Sequence, residues 1–186
     1  MIIVDKLEDI PPLSGPIALT IGTYDGVHLG HQHLFQELKK RGKAVVVTFS
    51  NHPAEVLCPE TAPSLIDTLK QKLRRFKTQG IDLTIVLPFT PELSSLSYDA
   101  FLKKLREHLP FKHLVQGEGT VMGHEAKGNQ EKIEALAKEL NFEATYLPKF
   151  THEGEIVSSR KIRELISTGN FEQAFRLLGR LERTTR

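Results

Sequence analysis

The 186-residue sequence predicts an α/β fold, an open parallel sheet with helices on both faces. Two observations carry that reading. The apolar runs are short and continuous rather than alternating, as strands covered on both sides require. Stretches with leucines at helical spacing separate them, giving β-α-β-α-β-α-β-α-β-α-α.

The first strand is Ile17 to Ile21, stopped by Gly22. A helix follows over 29–41, with Leu34 and Leu38 on one face; Lys39, Lys40 and Arg41 before Gly42 suit its C-terminal end. Val45 to Phe49 is a β-branched strand. Leu65, Leu69, Leu73 and Phe76 predict a helix over 65–78, capped by Ser64 with Asp67 in its first turn. Leu83 to Leu87 is a strand stopped by Pro88, and Tyr98, Phe101, Leu102, Leu105 and Leu109 mark a helix over 98–109. His113 to Val115 and Phe142 to Leu147 are weaker strands around a helix over 130–140 that starts behind Asn129. Between them, 117–128 carries four glycines and reads as a mobile loop, ordered only with ligand. Two short helices, 158–167 and 171–178, close the pattern; Asn170 and Gln173 have capping-box spacing.

Composition narrows the function. The 25 basic and 23 acidic residues leave a net charge of +2 without a dense basic block, so no nucleic-acid partner is expected. A single cysteine, Cys58, precludes an internal disulfide and a multi-cysteine metal site. No run approaches the ~20 apolar residues of a membrane helix, and MIIVDKLEDIPP has no signal-peptide pattern. These features predict a soluble, cytoplasmic protein of one domain over 1–186, without a membrane partner. They leave its oligomeric state open.

In open parallel sheets ligands bind beyond the C-terminal strand ends where strand order reverses, which directs attention to the first β-α junction. That junction, residues 21–31, reads IGTYDGVHLGH. Gly22 ends the strand and Gly26 permits a tight turn beside Asp25. His28 and His31 share one face of a helical turn, and Gly30 between them leaves the backbone open to a ligand. A helix start attracts anions, so the two imidazoles form a pocket for phosphate oxygens. Surface caps or a zinc site are the other readings of two histidines three apart; no cysteine lies nearby and no third zinc ligand is evident. A second anion site is SSRKIR, 158–163, two hydroxyls followed by three cations at a helix start.

IGTYDGVHLGH resembles the G-x-F-D-G-x-H-x-G-H signature of the bacterial bifunctional riboflavin kinase/FAD synthetases, in their FMN adenylyltransferase module. Further stretches are similar in order: VVTFSNHP (46–53) to a strand and F-D-P-H-P turn, QKLRRFKTQGID (71–82) to K-x-x-x-L-x-x-x-G-V-D, PFTPELSSLSYDAFL (88–102) to F-x-x-x-x-A-x-L-x-x-x-x-F, and residues 154–180 to S-S-T-x-I-R with its following helices. The resemblance implies a Rossmann-like HxGH nucleotidyltransferase fold that transfers AMP from ATP to FMN, releasing FAD and pyrophosphate, with Mg2+. It implies catalytic roles for His28, His31 and Arg163, and ATP contacts from Gly22, Thr23, Tyr24, Asp25, Gly30, Ser158, Ser159 and Arg160. FMN contacts would come from Asn51, His52, Pro53, Gly117 and Glu118; no metal ligand is implied. ATP and FMN are the expected small-molecule partners. Another phosphorylated acceptor, or a binding domain without catalysis, are the competing readings.

This chain departs from the resemblance at Arg160, where the pattern has Thr, and at Gly117–Gly123, where the pattern is G-E-D/N-F-x-F-G. There Gly119 replaces the polar residue, and Thr120 and Met122 replace two aromatic rings. The pattern continues past L-L-G-R into a riboflavin kinase barrel, whereas this sequence stops six residues after Arg180. The expectation is therefore an adenylyltransferase domain ending in the helical segment 158–180, without the kinase module.

Overall fold

The computed structural model describes residues 1–180; the last six residues of the predicted domain lie outside the described residues. Six parallel strands form the main sheet: β1 (Ile2–Val4), β2 (Ile17–Ile21), β3 (Lys43–Phe49), β4 (Leu83–Leu87), β5 (His113–Gly117) and β6 (Glu143–Leu147). Their order is β1-β4-β3-β2-β5-β6. Strand order reverses at β2, which pairs with β3 on one side and β5 on the other.

The helices are α1 (Leu29–Lys39), α2 (Ala54–Leu57), α3 (Leu69–Thr78), α4 (Pro91–Ser95), α5 (Tyr98–His108), α6 (Gln130–Glu139), α7 (Ser159–Ser167) and α8 (Phe171–Leu178). Every residue of β2 and β4 is buried, because each face is covered. Alternate strand residues Leu19, Val45 and Ile85 pack with Leu102, Leu105 and Ile133 of α5 and α6. The residues between them, Ala18 and Val46, pack with Phe35 and Leu38 of α1 and Phe76 of α3. A third cluster, including Val157, Ile162, Leu165 and Leu177, joins α7 and α8 and reaches Leu29 and Ile66. No helix among the described residues is long and apolar enough to cross a membrane.

The predicted strands and the longer helices are present, with several differences. β1 is a three-residue edge strand on β4, too short for periodicity to reveal. A hairpin of β7 (Thr151–His152) and β8 (Glu155–Ile156) has only two residues per strand. The helix expected from residue 65 begins at Leu69. Thr68, not Ser64, caps it in a full capping box with Gln71. The amides of Ile66 and Asp67, in the stretch ahead of it, donate to Asp25. Asn170 caps α8, but Gln173 returns its bond to the Asn170 side chain rather than the backbone, so the box is half formed.

The segment expected to be a mobile loop has its own hydrogen bonds: Met122 and Gly128 exchange backbone bonds of 3.1 and 2.9 Å around a 3-10 turn at His124–Ala126. It sits on the start of α5. A Cβ on Gly123, which has φ +76°, would lie 2.3 Å from the Tyr98 nitrogen.

Candidate active site

The turn after β2 adopts backbone that side chains rarely accept. Tyr24 and Val27 have φ of 50° and 43°. Surrounding bonds hold it there. The Tyr24 hydroxyl lies 2.6 Å from Thr20 Oγ1, and its ring packs against Phe35 and Phe76. Burial pushes the Tyr24 phenol well above its usual pKa, so it stays neutral. Asp25 is buried, accepts from the amides of Ile66 and Asp67, and pairs with Arg163 at 2.8 Å. Ser159 Oγ donates to the Asp25 carbonyl at 2.8 Å, and Gln32 donates to the Val27 carbonyl at 2.9 Å. Arg180 donates to the Gly26 carbonyl and pairs with Asp67, which also takes Arg75. Helices α7 and α8 are thus latched to the turn through polar bonds.

His28 is the N-cap of α1, its Nδ1 accepting from the His31 amide at 3.3 Å. That bond requires a bare Nδ1, so the neutral ring carries its proton on Nε2. The His28 and His31 rings stack, with centroids 3.5 Å apart and planes 18° apart, and the Tyr24 ring meets His31 edge-on at 5.1 Å. Burial lowers the His28 pKa to about 4; its own backbone bond and Asp25 oppose the shift, while Arg163 adds to it. His31 is held well below the usual histidine range by burial first, then by the neighbouring His28 and Lys72 charges. His31 Nδ1 has no hydrogen-bond partner among the described residues. A polyanion here would reverse these shifts and accept from the imidazole N–H groups.

Both rings lie on the wall of a cavity of about 980 Å³ beyond the strand ends. Its polar end holds His28, His31, Ser158 and Ser159; its apolar end holds Phe49, Phe89, Leu93, Leu96, Phe101 and Met122. The N-terminal ends of α1 and α7 lie at the polar end and favour negative charge there.

Of the predicted site residues, Gly22, Thr23, Tyr24, His28, Gly30, His31, Pro53, Gly117, Glu118, Ser158 and Ser159 line this cavity. Asp25, Asn51 and His52 instead border a small neighbouring cavity, with Thr23 and Phe49 shared between the two. Asn51 straps the Phe89 backbone from both sides, at 3.0 and 2.8 Å. His52 Nδ1 accepts from the Ala54 amide. Burial, then the Arg163 charge, holds the His52 pKa below its usual value. Arg160 is exposed and lines neither cavity. Arg163 lines neither: its guanidinium is taken by Asp25, and its buried Nε lacks a partner among the described residues.

Sequence reasoning missed Lys72, His33 and His124. Lys72 is buried and borders the smaller cavity; its signals were its place four residues before Phe76, on the packed face of α3, and its match to the Lys that opens the K-x-x-x-L-x-x-x-G-V-D pattern. His33 and His124 line the large cavity, His33 against Phe150 at 5.2 Å and His124 Nδ1 3.3 Å from the Ser94 carbonyl. Neither had a partner at recognisable spacing. No group of three or more His, Cys, Asp or Glu residues that could hold a metal ion exists among the described residues.

A family model described as FAD synthetase matches residues 11–161, which include the strained turn, the histidine pair and the start of α7. The chain belongs to the FAD synthetase family. It is similar to the bifunctional riboflavin kinase/FMN adenylyltransferase of Buchnera aphidicola subsp. Schizaphis graminum, at 29% identity over 187 residues. That similarity covers 97% of this chain and 60% of the relative, so the chain spans about three fifths of that protein's length. A crystal structure of a macrolide-efflux protein from Streptococcus pneumoniae superposes with a TM-score of 0.83 at 27% identity, covering 96% of this chain and 61% of that one. A pantoate–β-alanine ligase from Francisella tularensis shares the fold, with a TM-score of 0.61 at 17% identity over 96% of this chain and 85% of that one. The family and the fold agree with what the HxGH signature implied.

Proposed function

We propose that residues 1–180 form one adenylyltransferase unit that transfers AMP from ATP to FMN, giving FAD and pyrophosphate. The observation that supports this most is the stacked His28/His31 pair at the polar end of a cavity whose other end is apolar. Phosphates fit the first, and a flat flavin ring fits the second.

ATP lies with its phosphates between the starts of α1 and α7. An FMN phosphate oxygen attacks the α-phosphorus in line, a new P–O bond forms, and the bond to the β-phosphate oxygen breaks. The attacking phosphate is already ionised near neutral pH, so positioning and charge stabilisation carry the rate. His31 donates to the reacting phosphate, with His28 beside it. Both rings start neutral, and each imidazole can take a proton as negative charge builds next to it. Ser158 and Ser159 border the pyrophosphate side, and the Asp25–Arg163 pair fixes the turn from behind.

Magnesium accompanies ATP as part of the substrate. The donor set does not fit a protein-built metal cage, whereas a magnesium ion held by phosphate oxygens and water needs none.

One feature favours a second reading, transfer to a different phosphorylated acceptor. Thr120 and Met122 line the cavity where the resembling pattern places aromatic rings. Incubation with magnesium and ATP, plus FMN or riboflavin, separates these readings. The proposal expects FAD with FMN and none with riboflavin, which lacks the attacking phosphate. FMN-independent pyrophosphate release with another phosphorylated acceptor would replace it.

A further inference from the structure

Lys72 is a buried cation that the transfer scheme above does not use. Its Nζ donates to the Thr23 carbonyl at 3.1 Å, Thr48 Oγ1 at 3.1 Å and the Phe49 carbonyl at 3.0 Å. Thr23 follows the end of β2, and Thr48 and Phe49 end β3, so one ammonium joins both strands where the strained turn begins. Thr48 Oγ1 also donates to the Thr23 carbonyl, at 3.2 Å. Thr23 and Phe49 line both cavities and so divide them, and Lys72 lines only the smaller one.

The surrounding charges leave this cation without an ion-pair partner among the described residues. The carboxylates facing it are Asp25 and Asp67, and both are committed: Asp25 to Arg163, Asp67 to Arg75 and Arg180. The titratable groups that feel it are His31 and His52. A buried charge fixed by three acceptors projects its field through the thin partition into the phosphate end.

We infer that Lys72 is a positioning residue of the transfer: it clamps the ends of β2 and β3 beneath the histidine turn and supplies a fixed positive charge under the reacting phosphates. This rests on the proposed adenylyl transfer. Burial lowers the Lys72 pKa to about 8 against the pull of Asp25 and Asp67, so both actions weaken as pH rises past that value. A neutral amine has two donors for three acceptors and no charge.

The test compares wild type with Lys72→Met, Lys72→Arg and Thr48→Val. Lys72→Met lowers kcat by roughly tenfold or more while the KM for FMN moves by less than about threefold, since the lysine touches neither substrate. Wild-type kcat/KM falls on the alkaline side with a midpoint of about 8. Lys72→Arg removes that limb, because the guanidinium keeps its charge. Thr48→Val takes away one acceptor of the ammonium and shifts the limb to lower pH; it tests the clamp even if both Lys72 variants fail to fold. An NMR titration of the His31 ring adds a readout independent of activity: its pKa rises in Lys72→Met and not in Lys72→Arg. Absence of the alkaline limb, its persistence unchanged in Lys72→Arg, or a His31 ring that titrates identically in wild type and Lys72→Met would overturn the inference. Failure of wild type to form FAD, with the His31 shift intact, would instead remove the proposed reaction and leave the field of Lys72 in place.

Discussion

At the scale of single residues, the proposed transfer gives the histidine pair a chemical duty beside its structural one. His28 caps α1 through Nδ1 and stacks on His31, whose ring faces the cavity. Removing one donor from a site of this kind costs about 10²–10³ in rate. His31→Ala should therefore lose FAD formation on that order while circular dichroism and unfolding remain cooperative; turnover within about threefold of wild type would contradict the role given to it. The same burial makes stability pH-dependent. His28 titrates at 6.5 in the unfolded chain and at about 4 in the folded one, so the unfolded chain binds the proton first. This contribution is complete above pH 6.5 and disappears as pH falls through 4, a loss of roughly 3 kcal/mol, with His31 adding in the same direction. Urea midpoints measured across that window should fall in wild type. They should fall less in His28→Asn, which keeps a capping acceptor without an ionisable ring. These residues were legible because the signature is contiguous. The role of Lys72 was not, although the K-x-x-x-L-x-x-x-G-V-D pattern opens on it: its three acceptors lie 23 and 24 residues away at the end of one strand and 49 away in the turn after another.

At the scale of elements, the site depends on how the turn after β2 is tied to pieces far along the chain. Asp25 holds the amides before α3 and the guanidinium of α7 at once. Asp25→Ala leaves a largely buried Arg163 unpaired and should cost about 3 kcal/mol, read by chemical denaturation. A cost below about 0.5 kcal/mol, the level of an ordinary surface change, would show that the latch carries little. The segment from 117 to 128 closes the cavity by sitting on the start of α5. Gly123→Ala pushes a Cβ into the Tyr98 backbone and should raise the KM for FMN by about tenfold, near 1.4 kcal/mol, more than it raises that for ATP. Equal changes for both substrates would contradict an acceptor-side role. Periodicity revealed the long strands and helices but not β1 or the β7–β8 hairpin, whose few residues contain no repeat. The expected start of α3 was set by the apolar spacing from Leu65, which extends the helical pattern past Thr68 and Gln71, the residues with capping-box spacing. The stretch ahead of Thr68 instead donates its amides to Asp25, a tertiary partner.

At the scale of the whole molecule, strand order 1-4-3-2-5-6 puts the reversal at β2 and opens the cavity there. Element order alone pointed to the first junction, whose residues line the cavity. It did not place the apolar end, which gathers Phe49, Phe89, Phe101 and Met122 from four separate segments. Each of those residues alone reads as ordinary core. In the proposed function, one cavity holds ATP phosphates against the histidine pair and a flavin at its apolar end. The direct measurement follows ATP labelled at the α-phosphorus, incubated with magnesium, FMN and the protein. The label should move into FAD while unlabelled pyrophosphate appears in matching amount, and His31→Ala should suppress both together. Label that stays in ATP, or appears only in free AMP, would contradict the account.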